Sequence, residues 1–400
     1  MASVALIVIP FVVMTIGCAP TVKKPPLPPL KPTANIVKIA PGDMPSFRDD
    51  LEQASLITAI DRSLMYLNRT DSNARLSLGD RIITPEMIKK SLVAFRDMIS
   101  CGDSPEVLQQ KVRESFDLYK LSSLNGNKQV LITGYFESVL NGSFTKTDIY
   151  KYPIYCTPDD LLIANLRKFN KKYAADQLIG RVEGHEFIPY FNREDIDFKG
   201  VLEGRDLEIV WVDDQVGLFT MHTQGSGKIR LSDGTFIHLS YSQRNGRPFR
   251  SDSGVLLELG KIERQNLSYR NVKSYLRSHP DEIPDVFRRN ESYVFFRIVE
   301  DGPVGATGVP LVPNRSIAVD PDVYPLGAIA LLTGRKPEVD EKGQVTRWIP
   351  FTRFVLCQDT GGLIKGQHID LYCGSGDDAE NVAGSYKEQG DLYILLLKAN

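Results

Sequence analysis

The sequence has no excess of either charge. Its 48 Lys and Arg residues stand against 50 Asp and Glu, a formal net charge of −2, and the signs are interspersed, so the basic stripe that nucleic acid requires is missing and nucleic acid is not expected as a partner. Cysteine is scarce. Of five, Cys18, Cys101, Cys156, Cys357 and Cys373, none forms a CxxC pair, and the five histidines are scattered without the paired spacing of a zinc site, so no metal or other cofactor is expected. A serine-hydrolase elbow is missing too, because Gly225-Ser226-Gly227 lacks the GxSxG spacing. No internal repeat is visible. What remains is an ordinary globular composition, long enough for roughly two domains.

The amino end speaks first to location. Met1 to Gly17 carries no charge and then meets Cys18, a run too short for a comfortable membrane span but suited to the apolar core of a secretory signal. Thr15-Ile16-Gly17-Cys18 resembles a bacterial lipobox, in which the cysteine is lipidated. Thr15 stands where leucine is usual and no Lys or Arg precedes the apolar run, so a start further upstream is one reading, and a plain cleaved signal or a retained anchor are the alternatives. The segment after it, Ala19 to Thr33, is proline-rich and should stay extended. The expected order is therefore a signal and lipobox over 1–18, then a tether over 19–45.

From Ser46 to about Lys120 apolar residues recur at helical spacing, for example Met87, Leu92, Phe95 and Met98. Thr84-Pro85-Glu86 and Ser104-Pro105-Glu106 read as helix starts, each with a capping hydroxyl and a proline at the first helical position. Three helices are expected here. Beyond Asn125 the pattern becomes that of strands, at 129–137, 207–212, 216–222, 235–241, 293–299, 329–332, 351–358, 369–372 and 391–397. Short helices are expected at 157–169 and 271–278. Many short strands with Gly and Asp turns suggest barrels more than a parallel sheet.

Candidate chemistry lies near the carboxyl end. Gln358 to Tyr372 places Asp359 and Asp370 on apparent strands that flank a glycine-rich turn. If those strands pair as a hairpin, the two carboxylates are neighbours, one pKa is pushed up, and a protonated Asp becomes available as a general acid. Solvated turn residues are the other reading. Cys357 and Cys373 lie on the same two arms, where a disulfide and two buried free thiols are both compatible with the spacing. Asp252-Ser253-Gly254 and Asp359-Thr360-Gly361 each match the D-[TS]-G triplet of aspartic proteases, but Ser251 and Gln358 stand where an apolar lead-in is expected.

A wider set of motifs bears a family resemblance. Gly134-Tyr135-Phe136-Glu137, Tyr152-Pro153-Ile154-Tyr155, Gln224-Gly225-Ser226-Gly227, Asn290 to Arg297, Gly308-Val309-Pro310-Leu311, Arg315 to Asp320 and the Asp359 to Tyr372 block occur in this order. From about Thr133 to Lys398 the chain resembles the membrane-bound lytic transglycosylase A (MltA) family.

The resemblance implies a mainly β chain with N-terminal helices. A double-psi β-barrel domain would be assembled from 46–140 and 304–398, with a smaller all-β, barrel-like domain inserted over 141–303 and a glycan groove between them. It implies a monomeric lipoprotein on the periplasmic side of the outer membrane, tethered through a lipid on Cys18 and acting on peptidoglycan glycan strands, with proteins of cell-wall synthesis or hydrolysis as further partners. The family's catalytic aspartate corresponds to Asp370. Its other acidic positions match Asp359 and Asp320, which would raise the pKa of Asp370, while Tyr135, Glu137, Gln224, Ser226 and Gly374 would meet the substrate. Among aromatic residues, Tyr135, Phe136, Tyr152, Tyr155, Trp211 and Tyr241 are candidates to line the groove, with burial in the core the default reading for each one singly. A glycan-binding protein without activity and a hydrolytic glycosidase are the competing functions, and an aspartic protease is a more distant one.

Overall fold

The computed structural model describes residues 35–122, 126, 128–170, 172–173, 177–340 and 343–398. The lipobox with Cys18 and residues 19–34 of the expected tether lie outside the described residues. The tether ends earlier than expected. Asn35–Lys38 (β1) already pairs antiparallel with Phe116–Ser122 (β4), because the dense run of prolines breaks after Pro32 and the Ile36-Val37 pair that follows carries backbone N–H groups and β-branched side chains.

Between these strands lie helix α1 (Gln53–Leu67), a small hairpin of β2 (Leu76–Leu78) and β3 (Arg81–Ile83), and helices α2 (Pro85–Ser100) and α3 (Pro105–Ser115). The two expected helix starts are built as the sequence suggests: the Thr84 side chain accepts from Met87 N, and the Ser104 side chain from Val107 N, with proline next in each case. The helices bury Leu56, Ala59, Ile60, Ile88, Leu92 and Phe95 against the strands that follow.

Those strands close on themselves. β5 (Val130–Ser143) is long; β6 (Tyr152–Tyr155), β7 (Leu162–Asn165), helix α4 (Leu166–Phe169), β8 (Gln177–Glu183), β9 (Glu186–Pro189), β10 (Glu208–Val212), helix α5 (Gln215–Gln224), β11 (Ser226–Arg230) and β12 (Phe236–Arg244) come next. Helices α6 (Asp252–Glu258), α7 (Tyr269–Ser278) and α8 (Ile283–Phe287) lead to β13 (Val294–Val299), β14 (Ser316–Ala318), β15 (Ile329–Val339), β16 (Val345–Asp359), β17 (His368–Ser375), helix α9 (Gly376–Ser385) and β18 (Lys387–Leu397). Six of these strands form a ring in the order β5, β18, β15, β16, β14, β17 and back to β5. Two pairs in it, β14 with β16 and β17 with β5, are parallel and the rest antiparallel. Its buried side chains, among them Ile132, Ile317, Ile329, Leu331, Val355, Ile369 and Ile394, join those of the helices in one core drawn from both ends of the chain.

The middle of the chain packs separately, in clusters drawn from residues 140–296. β5 reaches into it: residues 138–141 pair in parallel with β11, and Ser143 pairs with Trp211 of β10. Among the described residues five helices, α4 to α8, add to the strands there.

Three local expectations are corrected. Residues 216–222, expected as a strand, are helix α5, capped by Asp214, whose side chain accepts from Gly217 N at 2.9 Å. Every residue from Val216 to His222 is buried, and an apolar run buried on all sides carries no period that separates strand from helix. The helix expected over 157–169 is instead β7 followed by the single turn of α4, since 162–165 finds a partner in β8. Finally, the arms carrying Asp359 and Asp370 do not pair as a hairpin, because the short strand β14 lies between them. Cys357 and Cys373 are both free thiols, their pKa values each pushed up to about 12 by burial.

Two arginines tie the N-terminal segment to the ring. Arg315, fully buried, donates from Nη1 to Asp49 Oδ2 at 2.6 Å and to Phe354 O at 2.9 Å, and from Nε to Ser55 Oγ at 2.9 Å. Arg353 meets both oxygens of Asp50 at 2.9 Å. Removing one partner of such a pair leaves the other charge stranded, so Arg315→Leu should cost about 3 kcal/mol or more of stability, measured as a fall in the urea midpoint with unchanged slope.

Candidate active site

Asp370 sits in β17 with Ala318 of β14 as its neighbour on one side and Thr133 of β5 on the other. Its half-buried carboxyl accepts from Thr133 Oγ1 at Oδ1, 2.7 Å away. Thr133 Oγ1 also lies 2.9 Å from His368 Nε2, so with the proton on that nitrogen a chain of donors runs from His368 through Thr133 to Asp370. Oδ2 has no hydrogen-bond partner among the described residues. Burial and then the charge of Asp359 push the Asp370 pKa up, against the Thr133 hydrogen bond, to about 7. His368 is pushed the other way by burial, and is neutral near pH 7.

Asp359 ends β16, and Ala318 is its neighbour as well. The two aspartates therefore flank one alanine across two strand spacings, roughly 10 Å of backbone. Asp359 Oδ1 accepts from Ala306 N and from Thr360 N, both at 2.9 Å, and Oδ2 from Tyr135 OH at 2.8 Å. Burial raises its pKa in spite of these three donors. The aim of Asp359 is set by Gln358, which is fully buried: Oε1 accepts from Ser316 Oγ at 2.5 Å and Nε2 donates to Ala59 O at 2.9 Å and Ser63 Oγ at 3.0 Å. Gln358 is the extra residue between Cys357 and Asp359, which pair with successive residues of β14, so locking its side chain inward fixes the backbone that presents Asp359.

Asp320 does not join this pair. Its carboxylate accepts from Gly366 N at 2.8 Å and Asp322 N at 3.2 Å and faces Lys365 Nζ at 3.7 Å, so it closes the turn between β16 and β17. The expected push of Asp320 on Asp370 is replaced by burial, because two backbone amides and a lysine already surround that charge. Gly366, at φ 62°, supplies the left-handed corner.

Glu137 continues the face of β5 that carries Thr133 and Tyr135, two residues apart each time. It is fully buried, accepts from Ser375 Oγ at 2.6 Å and lies 3.5 Å from Lys228 Nζ. Burial raises its pKa against those partners. Tyr135 packs against Tyr372, ring centroids 5.4 Å apart. Gln224 is tied to the backbone, its Oε1 accepting from Phe136 N at 3.2 Å; Ser226 is buried at the start of β11, opposite Ser240. Gly374, at φ 114°, holds a conformation that a larger residue adopts only with strain. The Asn245 to Phe249 loop is structural at its start, since Asn245 Nδ2 donates to Phe191 O and Glu291 O.

Sequence reasoning missed Thr133, Gln358, Ser375 and Lys228. Only Gln358 left a signal, a polar residue at the end of an apolar strand. Asp252, the other candidate protease carboxylate, begins helix α6 in the separately packed middle of the chain. Among the described residues no three His, Cys, Asp or Glu side chains gather as a metal site.

The contacts of Asp370 predict opposite shifts for two substitutions. Asp359→Asn removes a negative neighbour and should lower the Asp370 pKa below about 7, whereas Thr133→Val removes a hydrogen bond to the charged form and should raise it. Carboxyl carbon chemical shifts followed against pH by NMR would read both.

The chain matches two family models, one described as the MltA specific insert domain over residues 131–297 and one as the 3D domain over 315–396. It is 30% identical to the membrane-bound lytic murein transglycosylase A of Vibrio cholerae, over 68% of this chain and 67% of that protein. With the membrane-bound lytic murein transglycosylase A homolog of Buchnera aphidicola it shares 28% identity over 79% of each chain. The crystal structure of the membrane-bound lytic murein transglycosylase from Agrobacterium tumefaciens superposes with a TM-score of 0.74 at 28% identity, covering 90% of this chain and 97% of the other. A closed ring of six strands built from both chain ends, a paired-aspartate site on it and these likenesses agree, and the chain belongs to the membrane-bound lytic murein transglycosylase A (MltA) family.

Proposed function

We propose that this protein cleaves peptidoglycan as a lytic transglycosylase, at the β-1,4 bond between N-acetylmuramic acid and N-acetylglucosamine, with Asp370 as its acid and base. The observation that carries this reading is the state of Asp370: a half-buried carboxyl with a pKa near 7, one oxygen held by Thr133 and the other open. A carboxyl in that state is still partly protonated at neutral pH and has an oxygen from which the proton can leave.

The chemistry needs one such group. Protonated Asp370 gives its proton to the glycosidic oxygen as the bond to C1 of the muramic acid breaks and positive charge develops on that sugar. The carboxylate left behind then takes the proton of the 6-hydroxyl as its oxygen attacks C1. A 1,6-anhydro ring closes, the leaving sugar departs with a 4-hydroxyl, and no water is consumed. Asp359, fixed by three donors, is placed to stabilise the transient positive charge. Tyr135 orients Asp359, and Glu137, Gln224, Ser226 and Gly374 are proposed to hold sugar groups along the groove between the barrel, 46–140 with 304–398, and the inserted domain, 141–303.

Membrane-bound relatives support association with the cell envelope. The finer proposal is a lipid on Cys18, a tether, and a body on the periplasmic side of the outer membrane. Among the described residues no helix is long and apolar enough to cross a membrane.

Three outcomes test the reading. Purified peptidoglycan incubated with the protein should release muropeptides one water lighter than hydrolysis products, seen by mass spectrometry; Asp370→Asn should lower that rate by about 10²- to 10⁴-fold. Reducing ends would instead indicate a hydrolase, and no release a binding protein. The rate should fall on the alkaline side above about pH 7 as Asp370 loses its resting proton. Because the folded pKa of Asp370 is raised from 3.8, the penalty of its buried charge is absent below about pH 4, grows between about pH 4 and about 7, and is level above that. Asp370→Asn should therefore be more stable than the parent at pH 8, by about 2 kcal/mol for a partly solvated group, and indistinguishable from it at pH 4 in urea titrations.

A further inference from the structure

A second site lies in the middle part of the chain. A cavity of about 670 Å³ opens between β6, β10, the turn of 194–198 and helix α5, well within the size of a small-ligand pocket. Tyr155 and Glu208, directly opposed across the β6–β10 pair, both line it. Tyr155 is almost wholly buried, and its hydroxyl, which makes no hydrogen bond to a described residue, keeps some exposure beside the cavity. That hydroxyl is surrounded by acid: burial first, then the charges of Glu208, Glu203 and Asp197, raise its pKa.

The charges around the cavity are unevenly used. Asp197 is already paired with Arg193 at 3.0 Å, whereas Glu208 and Glu203 have no ion-pair partner among the described residues. Lys146 and Lys151, both exposed, stand on the lining without an anionic partner there, Lys151 lying over the Tyr152 ring at 5.3 Å. Trp211 adds an indole face. The lining is thus acidic and aromatic around Tyr155, Glu208 and Trp211, the setting that favours an ammonium group, and cationic at the exposed Lys146 and Lys151, the setting that favours a carboxylate.

We propose that this cavity binds an amino-acid group bearing both an ammonium and a carboxylate, and that its source is a peptide stem on the glycan. The ammonium would meet Glu208 and the Tyr155 oxygen, and the carboxylate Lys146 and Lys151. The source rests on the proposed substrate. The pocket is remote from the acid: Trp211 pairs with Ser143, ten residues along β5 from Thr133, about 30 Å at the rise of a strand. The stem held is therefore not one on the sugars being cut. It belongs to a distant sugar of the same strand or to a neighbouring strand.

The chain has two tryptophans, so in a Trp348→Phe background Trp211 is the one fluorophore of that kind. The full chain would be titrated with the tripeptide L-Ala-γ-D-Glu-meso-diaminopimelate, with the same peptide acetylated on its free amines, and with free meso-diaminopimelate. Saturable quenching by the tripeptide, weakened about tenfold or more by Glu208→Gln and by acetylation, is the expected result. Equal binding of the acetylated peptide, indifference to Glu208→Gln, or no saturable binding would overturn the site, and equal affinity for the free diamino acid would overturn its assignment to a stem. The same preparations would be assayed on peptide-free glycan, where Glu208→Gln should leave cleavage unchanged, and on intact peptidoglycan, where it should raise KM. Cleavage without peptide binding sinks this inference alone; binding without cleavage sinks the function and leaves the pocket.

Discussion

The geometry of the acid site depends on one short strand. Ser316–Ala318 is only three residues long, yet it pairs in parallel with β16 and antiparallel with β17, and its last residue is the neighbour of both Asp359 and Asp370. A carboxylate on each side of a buried alanine is close enough for the charge of one to raise the pKa of the other, and far enough that the two do not share a proton. A hairpin would have put them in contact. In that arrangement the coupling would resemble the dyad of an aspartic protease, and the single-acid chemistry would have no counterpart in the fold. Register keeps β14 in place: Ser316 Oγ binds the side chain of Gln358, and Arg315, the residue before it, is gripped by Asp49, Ser55 and the Phe354 carbonyl.

That grip explains why a helical N-terminal segment accompanies a β-barrel. The ring leaves the ends of β14 and β16 with buried polar groups, Arg315, Arg353 and Gln358, and each must be satisfied. The partners come from far away in sequence: Asp49 and Asp50 for the arginines, Ala59 and Ser63 of α1 for the glutamine. Helix α1 is therefore a second wall of the site, acting through Gln358 on the aim of Asp359. The raised pKa of Asp370 has the same origin in packing, since burial is its largest cause and the charge of Asp359 the smaller one.

The legible parts of the sequence were those where local chemistry and tertiary role agree. Thr84-Pro85 and Ser104-Pro105 cap helices by their own side chains, and the strands at 293–299, 369–372 and 391–397 alternate or run apolar in the way that buried strands do. The run at 216–222 was not legible, because burial on every side erases periodicity, and the cap that decides it, Asp214, lies just outside the run. Pairing order was hidden for another reason: Asp359 and Asp370 are joined by a ten-residue connection that looks like a hairpin, while the strand that separates them comes some forty residues earlier in the chain. The aspartates themselves were readable as motif positions. Thr133, which meets Asp370, and Ser375, which meets Glu137, were not, since a hydroxyl on a strand carries no mark of which carboxylate it will meet.

The hydrogen bonds of Asp359 bear on which reaction the site is built for. A glycosidase that uses water needs a second carboxylate with a free oxygen, either near enough to attack the sugar or far enough to hold a water between. Asp359 offers neither oxygen freely: Oδ1 is taken by two backbone amides and Oδ2 by the Tyr135 hydroxyl. To act as a base it would have to take up a proton where donors already point, or break those bonds. Asp370 has the opposite arrangement, with one oxygen held and one open. One group is thus built to move a proton and the other to be held still, and that division of labour suits an intramolecular attack by a sugar hydroxyl better than the activation of water.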